Sequence, residues 1–548
     1  MSNVAIFCAY REKKKNRQKG VFMAQINVSN LTFGYEGSYD TIFENVSFSI
    51  DTSWKLGFVG RNGKGKTTFL QLLLGKYEYQ GAITRSVVFD YFPYPVKQKD
   101  LERTAAELME DWKAGVESWR VLCELEKLDM DAELLYRPFG TLSFGERTRV
   151  MLAVLFSGEN DFLLIDEPTN HLDQDAREII KKYLASKKGF ILVSHDRDLL
   201  DACIDHVLVL NRASIEVQSG NFSSWWENKE KADHFARMEH EKRVKEIGKL
   251  KAAADCSSRW AEKNENTKIG YDPAKEHDRS ISTRSYIGAK TKKMQSRVKA
   301  YEERMDREIE KKEGLLKDIE TVKDLKIMPL SHYKERLIEC RDFSLKYRDG
   351  KENVITGLNF ELKQGDRVFL KGKNGCGKSS LIKYILTQNL QNSSNGGIEK
   401  RKITMSGCEN LSGENIMATG TCSIASNLVI SYINQDTSHL SGTLKEFAKK
   451  QEIDEPMLLS MLRSLDLDRE QFVKNMEEFS EGQKKKVLIA ASLLTPAHLY
   501  LWDEPLNYID VFSRMQIEKL IAQFQPTMLI VEHDARFARK LATKVVEL

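Results

Sequence analysis

The sequence predicts an α/β protein in which two similar domains stand in tandem and are joined by a long α-helical hairpin. A glycine-rich run, GRNGKGKTT at 60–68, returns in altered form as GKNGCGKSS at 372–380. A charge-rich segment of roughly a hundred residues, with apolar residues at helical spacing, separates the two halves. A duplicated α/β unit with a helical linker accounts for both observations.

The repeat keeps its register over most of each half. Lys66 and Lys378 are 312 positions apart, whereas Glu167 and Glu504 are 337 apart. The second copy therefore carries about 25 extra residues. We place them in the Ser-, Asn- and Gly-rich stretch 389–426, which is typical of a flexible insertion.

The length of 548 residues allows each half to bury a core of its own. The predicted organisation is a disordered extension at 1–22, a first α/β domain at 23–227, a helical linker at 228–327 with its tip at about 259–288, and a second α/β domain at 328–548.

Composition excludes several classes of protein. There is no run of 18 apolar residues, and the basic start of the chain has no apolar stretch after its charges, so neither a membrane span nor a secretory signal is predicted. The eight cysteines are scattered without a C-x-x-C pair, which argues against a zinc site and a disulfide framework. A soluble cytoplasmic protein without a membrane partner is expected.

Both glycine-rich runs fit the pattern G-x-x-x-x-G-K-[ST]. Glycines let backbone N–H groups surround phosphates, the lysine adds positive charge, and the hydroxyl residue faces Mg²⁺. The predicted nucleotide contacts in these loops are Gly60, Asn62, Gly63, Gly65, Lys66, Thr67, Thr68, Gly372, Asn374, Gly375, Gly377, Lys378, Ser379 and Ser380.

Acidic pairs follow two buried-strand patterns, FLLIDEP and LYLWDEP. Side chains at the carboxyl ends of parallel strands line a ligand crevice. Asp166 and Asp503 are therefore predicted to help Thr67 and Ser379 hold Mg²⁺. The adjacent glutamates are predicted to polarise the water that attacks the γ-phosphate; these are Glu167 and Glu504.

A histidine follows each acidic pair after a further apolar run. His195 and His533 lie 28 and 29 residues past the glutamates. A lone histidine after a strand is more often structural than catalytic. Because both recur at a matching distance, they are predicted to contact the γ-phosphate.

Each half also contains a Ser-x-Gly turn before a helical pattern. Ser143 and Gly145 in LSFGE correspond to Ser480 and Gly482 in FSEGQ. In each half, the glycine lies 22 residues before the glutamate of the acidic pair. The first turn of a helix offers unpaired N–H groups and a positive dipole end, which suit a phosphate. Alone this turn is a common helix cap, and its repetition makes it a candidate site.

The assembled pattern resembles the ATP-binding cassette superfamily, a group of P-loop NTPases. The resemblance implies an ATPase that uses ATP and Mg²⁺ and whose two cassettes pair head to tail within one chain, as a monomer. The Lys66 loop would then share ATP with the Ser480 turn, and the Lys378 loop with the Ser143 turn. It also implies that Tyr35 and Tyr347 stack on adenine.

One position departs from the superfamily pattern. The glutamine that contacts Mg²⁺ after the next strand is present as Gln435 in the second half, but the first half has Tyr94. The two sites are therefore expected to differ in metal geometry and turnover.

The linker is basic around its predicted tip. No acidic residue occurs between Arg279 and Lys299, and aromatic residues lie nearby. A solvated spacer is one interpretation. The other is RNA binding, because basic and aromatic side chains suit phosphates and unstacked bases. The candidates are Trp260, Tyr271, Tyr286, Lys290, Lys292 and Lys293.

Tandem cassettes with a charged helical linker resemble the ABC-F family of ribosome-binding ATPases, especially the antibiotic-resistance proteins of the lincosamide, streptogramin A and pleuromutilin group. This resemblance implies binding to large-subunit rRNA and to tRNA in the peptidyl site, drug displacement near the peptidyl-transferase centre, and release on ATP hydrolysis. Two alternatives remain: an ABC-F translation or ribosome-assembly factor, and the ATPase subunit of a transporter.

Overall fold

A computed structural model of the chain describes residues 25–35, 41–158, 161–170, 172–211, 214–266, 329–348, 353–394, 403–404 and 416–548, together with nine positions between 289 and 304. Trp226–Lys323 forms one compact unit, where the sequence predicts a linker at 228–327. The chain before and after this segment forms the other compact unit, which contains both cassettes. The predicted extension at 1–22 lies outside the described residues.

The first cassette is built from short strands and helices in alternation. Its strands are β1 (Gln25–Phe33), β2 (Phe43–Asp51), β3 (Lys55–Gly60), β4 (Gln80–Thr84), β5 (Val88–Phe92), β6 (Asp161–Asp166), β7 (Phe190–Val193), β8 (His206–Leu210) and β9 (Ile215–Ser219). Its helices are α1 (Lys66–Leu73), α2 (Ala105–Trp112), α3 (Ser118–Lys127), α4 (Phe144–Leu155), α5 (Gln174–Ala185) and α6 (Arg197–Cys203).

Two sheets organise this cassette. The larger has the order β5-β6-β7-β3-β8-β9, and its neighbours are parallel except for the antiparallel pair β8–β9. The smaller is antiparallel, with the order β2-β1-β4. Since β3, β6 and β7 are parallel neighbours, the residues after them meet at one edge of the sheet.

The second cassette repeats this plan. Its strands are β10 (Arg336–Tyr347), β11 (Ile355–Lys363), β12 (Arg367–Lys371), β13 (Ile403–Thr404), β14 (Ile416–Ile424), β15 (Ile430–Ile433), β16 (Leu499–Asp503), β17 (Met528–Val531) and β18 (Lys544–Glu547). After α7 (Phe222–Asn266), its helices are α8 (Lys378–Ser394), α9 (Leu444–Lys450), α10 (Glu455–Ser464), α11 (Glu481–Leu494), α12 (Val511–Phe524) and α13 (Ala535–Leu541). The larger sheet has the order β13-β15-β16-β17-β12-β18, and the smaller β11-β10-β14.

The central strands are continuous apolar runs because both faces of the parallel sheet are covered, in the second cassette by α9–α13 on one face and by the small sheet and α8 on the other. Every residue of β16 is buried, including Tyr500 and Trp502, and the indole N–H of Trp502 donates to the Ser492 hydroxyl at 3.0 Å. Asp166 pairs in register with Val193, as Asp503 does with Val531. The two cassettes thus present their acidic residues at equivalent sheet positions.

The predicted insertion at 389–426 is too long. Ile416–Ile424 is a strand that pairs antiparallel with β10, as β4 pairs with β1 in the first cassette. Helix α8 also continues to Ser394. The strand was missed because its outward side chains are exposed at the edge of the sheet, which gives it the small polar composition of a loop.

The predicted linker tip begins too early. Helix α7 has 45 residues and continues through Arg259 to Asn266, since its Ala-, Glu- and Lys-rich sequence favours a helix. At about 1.5 Å per residue its axis is roughly 68 Å long. No helix among the described residues is long and apolar enough to cross a bilayer.

The cysteines are not all unpaired. Cys123 on α3 is disulfide-bonded, so the scattered spacing that argues against a disulfide framework does not exclude a single disulfide. The other cysteines within the described ranges are free thiols: Cys203, Cys256, Cys340, Cys376 and Cys422.

Candidate nucleotide-binding sites

The first phosphate loop connects β3 to α1. Gly65 has a left-handed backbone with φ of 103°, which favours glycine, and it lies directly before α1. The Lys66 ammonium donates to the carbonyls of Gly60 and Arg61 at 2.6 and 3.1 Å and to the Asn62 side-chain oxygen at 3.2 Å. The Lys66 ammonium is therefore held against the loop by two of the loop's carbonyls and by the Asn62 side chain.

The second loop has the same construction. Gly377 has φ of 97°, and Lys378 begins α8. The Lys378 ammonium donates to the carbonyls of Gly372 and Lys373, both at 2.8 Å. The repeated sequence therefore gives two phosphate cradles with matching lysine positions.

An exposed tyrosine accompanies each loop. The Tyr35 hydroxyl is 2.9 Å from the Thr68 hydroxyl, and the Tyr347 hydroxyl is 2.5 Å from the Ser380 hydroxyl. Both rings are more than a third exposed. They are therefore available to stack on a base while the hydroxyl fixes each ring beside its phosphate loop.

The predicted metal residues of the first site lie together. The Thr67 hydroxyl donates to Asp166 Oδ2 at 3.0 Å, and burial raises the pKa of Asp166. Tyr91 on β5 donates to the same oxygen at 3.1 Å. Sequence reasoning missed Tyr91, because its position inside an apolar strand is typical of a core residue.

In the second site a carboxylate oxygen is left for a cation. Asp503 Oδ1 is buried and has no hydrogen-bond partner among the described residues, and burial raises the pKa of Asp503. Ser379 stabilises the charged form of this carboxylate through a side-chain hydrogen bond. A buried carboxylate beside a hydroxyl is the oxygen set that Mg²⁺ uses in nucleotide sites, so these residues fit the metal.

The glutamate that follows each predicted metal-binding aspartate lies close to the histidine of the same cassette. His195 Nε2 is 3.3 Å from Glu167 Oε1, and His533 Nε2 is 3.8 Å from Glu504 Oε1. Glu167 and Glu504 have left-handed backbones with φ of 51° and 47°. This backbone is costly for a non-glycine residue and is a feature of strained functional sites.

Burial sets the protonation of these groups. Burial, followed by the Asp166 charge, raises the pKa of Glu167 to about 8, and burial, followed by the Asp503 charge, raises the pKa of Glu504. Burial and the Lys378 charge lower the pKa of His533 to about 4, and burial also places the pKa of His195 well below its usual value. Both histidines are therefore neutral at pH 7, and both carboxylates are more basic than ordinary glutamates.

The two serine turns cap helices. The Ser143 hydroxyl accepts from the Glu146 N–H at the start of α4, and the Ser480 hydroxyl accepts from the Gln483 N–H at the start of α11. Gly145 and Gly482 lie in the first turns of these helices. Both turns thus begin helices where the sequence predicted them.

The first phosphate loop meets the second cassette. The Asn62 side-chain amide donates to the Tyr508 carbonyl at 2.6 Å, between residues that are 446 positions apart in the sequence. A Cβ added at Gly482 would be 3.2 Å from Asn62 Nδ2 and 2.5 Å from the Tyr508 carbonyl. The Lys66 loop and the Ser480 turn therefore face each other, as the resemblance to the superfamily implied.

Ion pairs surround this contact. Lys64 pairs with Asp468 at 3.0 Å, and on the other side of the apposed cassettes Lys373 lies 3.8 Å from Asp175. Further pairs between the cassettes are Arg61–Asp466, Arg197–Glu518, Arg536–Asp201 and Arg539–Asp198. Charge complementarity therefore accompanies the apposition.

The two sites differ at the position where the sequence departs from the pattern. Gln435 follows β15 and donates to Glu504 Oε2 at 2.9 Å. Tyr94 follows β5 at the same place but is buried, donates to Asp90 at 2.8 Å and stacks on Trp112 at 5.3 Å between ring centroids. Tyr94 is therefore a core residue, and it is Tyr91 that contacts the metal-site carboxylate of Asp166.

A second difference involves a lysine that sequence reasoning missed. Lys485 on α11 is buried, and its ammonium donates to the carbonyls of Asn434 and Glu504 at 2.9 and 3.4 Å. The first cassette has Thr148 at this position, 337 residues earlier. Lys485 thereby ties together the strand ends that carry Gln435 and Glu504, and its charge opposes the rise in the pKa of Glu504. The sequence signal for Lys485 was the run of three lysines at 484–486, where the first cassette has Arg-Thr-Arg at 147–149.

The linker candidates are only partly described. Trp260 lies in α7, and Lys292 and Lys293 are helical and exposed. Tyr271, Tyr286 and Lys290 lie outside the described residues.

With the site geometry in hand, the family can be identified. The ABC transporter family model matches residues 43–170 and 355–507, which together are just over half of the chain. The chain belongs to the ATP-binding cassette family. It is an ATPase, and its tandem P-loop cassettes agree with the predicted fold class.

Curated relatives refine the membership. The chain is 26% identical over 520 residues to the ribosome protection protein VmlR of Bacillus subtilis (strain 168), covering 94% of this chain and 85% of the relative. It is 25% identical over 583 residues to the putative ATP-binding protein YdiF of the same organism, covering 96% and 80%. Within its family the chain is an ABC-F ATPase, which confirms the resemblance drawn from the motifs.

A solved structure shares the fold. An archaeal ribosome recycling factor in complex with a ribosomal stalk protein matches with a TM-score of 0.56 at 19% identity, covering 94% of this chain and 87% of that chain. The match shows that a tandem-cassette fold extends over nearly the whole chain.

Replacement of both glutamates, Glu167→Gln with Glu504→Gln, should leave ATP binding intact and slow hydrolysis by about 10²–10⁴-fold, because the attacking water loses its general base. Equilibrium binding of a fluorescent ATP analogue and steady-state phosphate release measure the two effects. Phosphate release at the wild-type rate would contradict the proposed role of the glutamates.

Lys485 should affect ATP hydrolysis only at the site that contains Glu504. In a Glu167→Gln background, where turnover depends on Glu504, Lys485→Thr should lower single-turnover hydrolysis by about tenfold, the effect of about one pKa unit on the base. It should also move the pH profile to higher pH, because the glutamate is then harder to ionise. Lys445→Thr, at an exposed position on α9, is the matched control. An unshifted profile would show that Lys485 does not tune Glu504.

Proposed function

We propose that the protein binds the ribosome in its ATP-bound form and protects it from antibiotics, and that ATP hydrolysis releases it. The observation that carries the proposal is the match over 94% of the chain to a relative named as a ribosome protection protein, with both ATP sites in place. Its partners would be large-subunit rRNA and tRNA in the peptidyl site.

The apposed cassettes support the ATP dependence. ATP in the Lys66 loop would lie against the N-terminus of α11, because Gly482 faces Asn62. Its γ-phosphate would bridge two cassettes and favour their closed form. Hydrolysis at Glu167 and Glu504 would remove that bridge, which gives a nucleotide-dependent switch.

Charge on the linker supports contact with RNA. Lys292, Lys293, Arg297 and Lys299 are exposed and helical, and no acidic residue lies among them. Uncompensated basic side chains on one helical segment suit a phosphate backbone. The linker would direct residues 267–288 toward the drug-binding region.

The short connection after α1 favours protection over a general translation role. Helix α1, β4 and β5 follow one another between Lys66 and Tyr94, and only the short connections 74–79 and 85–87 separate them. Translation factors of the ABC-F family, which the chain resembles, often carry an inserted arm between these two positions. A translation or ribosome-assembly factor remains the second candidate, and drug susceptibility separates the two.

Shortening the tip should remove protection and spare ATP chemistry. If 267–288 is replaced by a short glycine-serine turn, α7 is preserved to Asn266, and the cassettes keep every contact described above. Cells with this variant should become as sensitive to lincosamides, streptogramin A and pleuromutilins as cells without the gene, while purified protein hydrolyses ATP normally. Wild-type resistance in the variant would overturn the proposed mechanism. No effect of the intact gene on any of these drugs would favour the second candidate.

Neutralising the basic stretch should weaken ribosome binding in a salt-dependent way. Lys292→Gln with Lys293→Gln removes two charges, which should reduce the slope of log affinity against log salt by roughly 0.7–0.9 for each lost phosphate contact. Co-sedimentation with ribosomes at several salt concentrations measures the slope. Lys292→Arg with Lys293→Arg keeps the charge and is the control. Equal slopes for the two variants would exclude these lysines from phosphate contact.

A further inference from the structure

Two cysteines oppose each other in the small sheet of the second cassette. Cys340 on β10 pairs in antiparallel register with Cys422 on β14, and both are free thiols. Their sulfur atoms are 2.9 Å apart, with Cys340 as the donor. Directly opposed residues of an antiparallel pair have Cα atoms about 4.5–5.5 Å apart, which is within the span of a disulfide. A disulfide between the two sulfurs therefore requires rotation of the cysteine side chains but no change in the register of β10 and β14.

The two thiols differ in access. β14 is the outer strand of the sheet β11-β10-β14, and Cys422 is half-buried, whereas Cys340 is 2% exposed. The S–H of Cys340 points to the sulfur of Cys422, which lowers the pKa of Cys422 by stabilising its thiolate. Because the thiolate is the reactive form, Cys422 is the sulfur that an oxidant meets first.

We propose that Cys340 and Cys422 form a reversible thiol–disulfide site whose oxidant is a hydroperoxide. The Cys422 thiolate attacks the terminal peroxide oxygen, the O–O bond breaks, and the leaving alkoxide or hydroxide takes a proton. The sulfur of Cys340 then attacks the resulting sulfenic acid, the S–S bond forms and the S–O bond breaks, and the hydroxide leaves as water with the proton of Cys340. Two thiols are oxidised and one hydroperoxide is reduced, and a thiol reductant reverses the change.

The pair lies next to the helix that carries the second phosphate loop. Burial, followed by the charges of Cys422 and Cys340 in their thiolate forms, raises the pKa of Tyr384 on α8, and the Tyr384 ring is 5.0 Å from that of Phe343 on β10. Helix α8 begins at Lys378. The site is therefore in the contact layer between the small sheet and α8, apart from the ATP-contacting residues. It is independent of the proposed ribosome function.

The competing explanation is that the cysteines are small apolar packing residues that happen to be adjacent. The chain contains its own references for a test. Cys256 is exposed and reports general thiol oxidation, while Cys203 is buried, and burial raises its pKa to about 12. A dedicated pair should oxidise ahead of Cys203 and should give one defined product.

The experiment uses the full-length protein treated with increasing hydrogen peroxide, denatured in N-ethylmaleimide and digested without reductant. Mass spectrometry should find a peptide pair joined through Cys340 and Cys422, two hydrogens lighter than the reduced peptides, formed while Cys203 stays fully alkylated. Dithiothreitol should restore both alkylated cysteines. Full oxidation of Cys256 while both thiols remain alkylated, or a preferred link from either to another cysteine, would overturn the proposal.

A variant pair tests the order of the steps. In Cys340→Ser the reaction should stop at the sulfenic acid of Cys422, which dimedone traps, and trapping should rise at least tenfold over the wild type. In Cys422→Ser the Cys340 thiol should remain alkylated, as Cys203 does. Dimedone trapping at Cys340 in the second variant would reverse the assigned order and contradict the mechanism. The wild-type crosslink stands as the primary measurement if either variant fails to fold.

Discussion

The contact between one phosphate loop and the opposite helix N-terminus is the constraint on which the ATP chemistry depends. Asn62 reaches across to the Tyr508 carbonyl at 2.6 Å, and Gly482 packs so closely that an added Cβ would lie 2.5 Å from that carbonyl. A phosphate in the Lys66 loop therefore adjoins both cassettes. Binding of the nucleotide and apposition of the cassettes become one event, because neither surface completes the site alone.

Buried charges fix how the cassettes meet. Glu518 is fully buried and pairs with Arg197 of the first cassette and with Lys540 of the second. Removing such groups from water is costly, so these pairs contribute more to the register of the interface than to its net stability. The same dry surroundings make Glu167 and Glu504 more basic and keep both histidines neutral. Interface geometry and catalytic protonation thus share one physical cause.

Local motifs could be predicted from the sequence because they depend on local rules. Glycine at a positive φ, a serine at a helix start and an acidic residue after an apolar strand are all determined by their neighbours, and the repeat supplied each twice. Features set by tertiary environment could not. Tyr94 fills a core position that only the stacked Trp112 reveals, and β14 is recognised by its partner β10. From the sequence alone Lys485 is expected to be a surface residue, and only the packing of α11 against the sheet shows that it is buried.

The two ATP sites are therefore similar in outline and different in support. At the first, Asp166 receives hydroxyl hydrogen bonds from Thr67 and Tyr91, and no lysine matches Lys485. At the second, Glu504 is held by Gln435 and lies over a buried ammonium. Glu504 is therefore held by Gln435 and Lys485 in a way that has no counterpart at Glu167 among the described residues, so the two sites are expected to turn over unequally.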